Sequence, residues 1–172
     1  MEPVIYGVAI WFAEHLPEYL AATNDAMASW PGGMVLPALL DQPPAASGAP
    51  ALRKVLLGTS IPASGPFPCL LVVLDSVDVE SAGQNSDWIT LHLKLVVALQ
   101  ENNEKRILPD TARYMDALTH AVGENVTLGG LVDEAKIPSL EKDEVPANGT
   151  GFVVADLSTK FEMICDGESQ GG

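Results

Sequence analysis

Not one lysine or arginine occurs in the first 52 residues of this 172-residue chain. Nine follow, scattered from Arg53 to Lys160, against 23 Asp and Glu, so the formal charge is −14. A surface of that sign repels a phosphate backbone, which argues against direct, affinity-driven binding of nucleic acid. It favours solubility, and it lets a protein sit near DNA without adsorbing it. Cysteine is scarce too: Cys69 lies in an apolar run and Cys165 just past another, neither with a Cys partner at metal-ligand spacing. His15, His92 and His120 are far apart. The pattern predicts two buried structural thiols in a reducing compartment and no metal centre. Proximity of the two sulfurs across a sheet stays open. Aromatic residues make up only 6%, so Val, Leu, Ile and Ala must build the core that a hydrophobic content of 47% implies.

Apolar runs long enough to cross a membrane are missing as well. Residues 4–13 have the length of a signal-peptide core, but Glu2 precedes them instead of a cation, and no small-x-small cleavage site follows. The expectation is a protein made and used in the cytoplasm. Asn125-Val126-Thr127 and Asn148-Gly149-Thr150 then read as turns and not as glycosylation sites.

The length suits one domain, expected over residues 1–165 with a disordered tail at 166–172, and it can bury roughly 70% of its unfolded surface. Val8, Trp11, Phe12, His15, Leu16, Tyr19 and Leu20 recur at helical spacing. Pro17 either kinks that helix or opens a second one, and Trp30-Pro31-Gly32-Gly33 stops it. His15 on this face reads as partly buried core. Residues 41–67 are rich in proline and predict an irregular excursion or an arm. Within it Arg53 and Lys54 flank Val55, Leu56 and Leu57, the candidate anchor on a neighbouring subunit.

Residues 68–74 are continuously apolar, as a central strand is. Residues 88–100 alternate, with Ile89, Leu91, Leu93, Leu95, Val97 and Leu99 on one face and Thr90, His92, Lys94 and Gln100 on the other. The polar stretch between them predicts a long antiparallel hairpin. Pro109 opens the next helix, with Leu108, Ala112, Met115, Leu118 and Val122 as its buried stripe and Gly123 as its end. Residues 135–138 offer a short strand, residues 141–144 an acidic loop, and residues 151–164 a closing strand with Val153, Ala155, Leu157, Phe161 and Met163 inward. The fold class is α+β: an antiparallel or mixed sheet with a long hairpin, packed in two layers against two main helices.

Signatures of chemistry are absent. Leu128-Gly129-Gly130 lacks the length and the lysine of a phosphate-binding loop, and no Gly-x-Ser-x-Gly elbow occurs. Asp75 and Asp78 are expected to cap a strand end in solvent. The acidic clusters lack the spacing of a calcium loop. No catalytic, cofactor-binding or metal-ligating residue is therefore assigned, and the protein is expected not to be an enzyme.

One stretch carries a family resemblance. A helix spelled Tyr114-Met115-Asp116-Ala117-Leu118, a Thr127-Leu128-Gly129-Gly130 hinge and a final strand follow a Phe67-Pro68-Cys69-Leu70-Leu71-Val72-Val73 strand start and a polar hairpin. Over residues 66–164 this resembles the tail terminators and related minor tail proteins of tailed bacteriophages. Residues 31–65 depart from the family in length and proline content. The resemblance implies a structural virion protein of the tail or neck, assembled in the host cytoplasm. It implies a ring, usually of six subunits, that caps the tail tube, ends polymerisation and presents the head-joining surface. The implied partners are further copies of the chain, the tail-tube protein and head–tail connector proteins, with DNA passing through the lumen unbound and no membrane or cofactor involved. Gly129 and Gly130 would provide positive φ or close approach at the hinge. The rival readings are another neck or tail-tube component, or a small cytoplasmic ligand-binding domain.

Overall fold

The computed structural model describes residues 1–28, 52–58, 66–100, 104–145 and 150–164. Helix α1 (Glu2–Ala28) runs unbroken through Pro17. The ring cannot donate to the carbonyl of Ala13, but Ala13 is exposed, so water can take that bond. Pro17 therefore opens no second helix. The stop expected at Trp30-Pro31-Gly32-Gly33 lies outside the described residues, as do most of the proline-rich stretch and the tail at 166–172.

Five strands follow: β1 (Lys54–Leu57), β2 (Cys69–Ser81), β3 (Ser86–Gln100), β4 (Glu134–Val145) and β5 (Thr150–Ile164), with helix α2 (Glu104–Glu124) between β3 and β4. They form one mixed sheet in the order β1-β2-β3-β5-β4. Only β1 is parallel to its neighbour; every other pair is antiparallel. The α+β architecture expected from the sequence is thus present. Both helices pack on one face, α1 over β1 and β2, α2 over β5 and β4.

The core lies between the layers. All six inward residues read from the β3 alternation are buried, from Ile89 through Leu99. Val8, Phe12, Leu16 and Leu20 meet them from α1, and Tyr114, Leu118, Ala121 and Val122 from α2. The α2 stripe is rotated from the expected one: Ala112 is exposed and Tyr114, fully buried, takes the centre. The helix also begins five residues before Pro109. Its end is marked by Asn125, not Gly123. The Asn125 amide donates to the Ala121 carbonyl at 3.0 Å, and the Asn125 backbone N–H to Val122 at 3.2 Å, satisfying groups that a helix end leaves open.

Two strands are longer than expected, each because of a bulge. In β2 the pairing slips between Leu74, opposite Leu93, and Ser76, opposite His92, leaving Asp75 as the extra residue. The slip moves the inward positions from 70 and 72 to 77, so Val77 reaches the core and the strand continues to Ser81. Asp75 and Asp78 therefore sit inside a strand and do not cap one. In β4 the slip falls at Ile137 and Pro138, which lie together opposite Leu157. It keeps Ala135, Ile137 and Leu140 turned to the core. Residues 141–144, expected as an acidic loop, continue the strand beside residues 151–154 of β5.

Candidate assembly surfaces

Three surfaces position the polar and the sequence-predicted residues: the sheet face away from the helices, the α2–β4 connection, and the two sheet edges.

On the open face the two bulges lie at one level, on either side of the central β3–β5 pair. They frame a shallow depression of about 230 Å³ lined by Asp75, Ser76, His92, Pro138, Asp156 and Ser158. Within it Asp156 accepts a hydrogen bond from the Ser139 hydroxyl at 2.6 Å and one from Lys94 Nζ at 3.1 Å. The Ser139 bond, then Lys94, holds the Asp156 carboxyl below its ordinary range, and Asp156 in turn raises Lys94. His92 faces outward as expected and pairs Nε2 with Asp78 Oδ2 at 2.8 Å. Lys160 lies over the Trp88 ring, 5.1 Å from its centroid. Lys94, His92 and Lys160 are thus each held by a carboxylate or a ring of this same face. No group of metal-ligating side chains is present among the described residues, and His92 bonds no hydroxyl there. Sequence reasoning missed this constellation because it depends on the bulges. The signal was the change of hydrophobic parity from Leu74 to Val77.

The α2–β4 connection carries Gly129 and Gly130. Leu128, Gly129 and Gly130 all have positive φ, 47°, 71° and 88°. Glycine meets that demand without strain. Leu128 accepts it with its side chain buried beside the core. The turn is tied by Leu128 N–H to Asn125 O at 2.8 Å, Gly130 N–H to Thr127 O at 3.0 Å, and Ala135 N–H to Val126 O at 2.6 Å. It sits on α1: a Cβ on Gly129 would stand 3.6 Å from Trp11 Nε1, and one on Gly7 would meet the Leu131 side chain at 2.6 Å. His15, partly buried as expected, stacks on the same Trp11 ring at 4.7 Å. Tyr19, another turn along, donates to Glu124 and receives the Asn125 amide at 2.7 Å.

The edges separate the remaining candidates. Lys54, Val55, Leu56 and Leu57 are the edge strand β1, hydrogen-bonded beside Cys69–Val72 of their own sheet. They belong to the domain itself and not to an arm free of it. Val55 packs on the core, Leu57 stays 39% exposed, and Arg53 and Lys54 are exposed. Gly129 and Gly130 lead into β4 at the opposite edge. The structure therefore does not bring the two groups of candidates together. Cys69 is buried on the face away from the core, and burial raises its thiol pKa; Cys165 lies outside the described residues. Among the described residues no helix is long and apolar enough to cross a membrane.

No protein-family model matches this chain, and no curated protein does. Among solved structures it is similar to a chain described as part of the virion of a native gene transfer agent particle. The match has 13% identity and a TM-score of 0.41, and it covers 63% of this chain and 78% of that one.

Proposed function

We propose that this chain is a structural protein of a tailed-phage-type virion, forming a ring of six that caps the tail tube, stops its polymerisation and presents the head-joining surface. The reading rests on the tail-terminator resemblance, and one observation carries it. The elements that bear the resemblance occur in the expected order in the fold: the strand starting after Phe67-Pro68, the long β2–β3 hairpin, α2, the left-handed Leu128-Gly129-Gly130 turn and, after β4, the closing β5. Its partners are copies of itself, the tail-tube protein and connector proteins. DNA passes through the lumen without specific contact, since a chain of charge −14 offers no adsorption minimum to phosphate. The protein acts in the virion, at tail or neck, after assembly in the host cytoplasm. It works by occupying a surface and not by turnover, so it is neither an enzyme nor a cofactor carrier.

Negative-stain images of the purified protein test this. Closed rings are expected. Extended tubes would identify a tube subunit instead, and a monomer that carries a metabolite in native mass spectrometry would identify a ligand-binding domain.

A further inference from the structure

Arg53 and Lys54 stand out on this acidic protein. Both are exposed, and neither side chain has an ion-pair or hydrogen-bond partner among the described residues. They stand at one edge of the sheet, whereas β4 forms the other edge and carries Glu134, Glu141, Asp143 and Glu144.

Register relates the two edges. Following paired residues across the sheet, Lys54 lies in one row with Cys69, Ala98, Phe152 and Asp143. The rows beside it join Val55 to Lys142, Leu56 to Glu141, and Leu57 to Leu140. One step the other way, the same progression places Arg53 at the level of Glu144. Each row thus has a β1 residue at one end and a β4 residue at the other, and the strand directions make β1 and β4 antiparallel. The β4 bulge and Pro138 fall before this stretch, leaving residues 139–145 regularly paired on their inner side. Pro138 and a bulge guard the rest of the edge against pairing.

We infer that β1 of one copy docks antiparallel on β4 of a second copy, with Lys54 beside Asp143, Arg53 beside Glu144 and Leu57 beside Leu140. This deepens the ring reading and rests on it. The contact joins two different surfaces, so it propagates head to tail and closes into a ring when the rotation per step returns the last copy to the first without a rise. Charge and the apolar pair select the register together: a slip one way places Lys54 beside Lys142, and a slip the other way keeps Lys54 beside an acid, Glu144, but moves Arg53 beside Val145 and Leu57 beside Glu141. Like-charge placement at an interface is penalised strongly.

The full-length protein can be weighed by light scattering across a concentration series, with circular dichroism confirming that each variant folds. Lys54→Glu should weaken assembly about tenfold or more, and Asp143→Lys, at the opposite edge, should do the same. The double variant Lys54→Glu/Asp143→Lys should recover assembly to near the wild-type level. High salt should weaken wild-type assembly. If folded single variants assemble as well as the wild type, the edge contact is overturned while the ring reading stands. If both weaken assembly and the double variant stays as weak, the pairing is wrong. A wild-type monomer at every concentration also overturns the contact; tube lengths made without the protein then judge the ring reading separately.

Discussion

Glycine at three positions shows how differently one residue type can matter. Gly129 and Gly130 hold φ of 71° and 88° in the turn beneath Trp11, whereas Gly123 lies in the last turn of α2 at ordinary helical geometry. A Cβ on Gly123 or on Gly130 would meet nothing within 4 Å, so space does not distinguish them and backbone conformation does. Gly130→Ala should destabilise by about 1–2 kcal/mol, the cost of a left-handed conformation for an L side chain. Gly123→Ala should stabilise by up to about 1 kcal/mol, because it restricts the unfolded chain and suits a helix. Urea unfolding of both variants decides this; equal midpoints would mean that the turn is not held left-handed. The buried Thr159 hydroxyl follows a related logic. It has no hydrogen-bond partner among the described residues, so it contributes shape to the core at a polar cost.

At the scale of elements, what could be read from the chain was what a single period encodes. The alternation of residues 88–100 specified β3 and its buried face, because that strand is central and pairs without a slip against β5. The β2 and β4 strands were shortened in that reading because each contains a bulge, and a bulge breaks the period on which strand recognition depends. The Lys54–Leu57 strand was missed for another reason: four residues carry too little pattern, and their role comes from pairing with Cys69–Val72. In α2 the apolar residues alone misplaced the buried stripe, since Asp110, Thr111 and Arg113 are also buried there. The polar cluster on the open face was illegible because Ser139 reaches Asp156 only after the β4 bulge, and Asp78 reaches His92 only after the β2 bulge, has set the register. It has a measurable consequence. Asp156 is depressed in the folded state, so its contribution to stability is complete above the ordinary aspartate pKa of about 3.9 and is lost as pH falls through the lower folded value. Solvent screening keeps that contribution small, since the Asp156 side chain is 45% exposed. Ser139→Ala removes the largest cause of the depression. Carboxyl NMR titration should then show the Asp156 pKa rising toward the ordinary value. An unchanged titration would show that Lys94 alone sets it.

For the whole molecule, the placement of charge and edges makes a consistent case for a part that acts by fitting. Three of its cations on the open sheet face are already engaged within it, Lys94 by Asp156, Lys136 by Glu134 and Lys160 over Trp88. That leaves little to attract a phosphate backbone, and under the inferred edge contact the two unlike sheet edges would give each copy a head and a tail. Under the terminator function proposed above, the protein would compete with tube subunits for one shared end surface, so its effect would depend on occupancy. Phage lysates made without the gene should therefore contain tubes that outrun their normal length and carry no heads. Purified protein added to such a lysate should restore joining only to tubes that have not yet overgrown, because capping cannot shorten a tube already made. Electron microscopy of the particles gives the answer directly. Tails of normal length with heads unattached would move the protein to the neck, where it would join without measuring, and normal infectious particles would remove it from assembly.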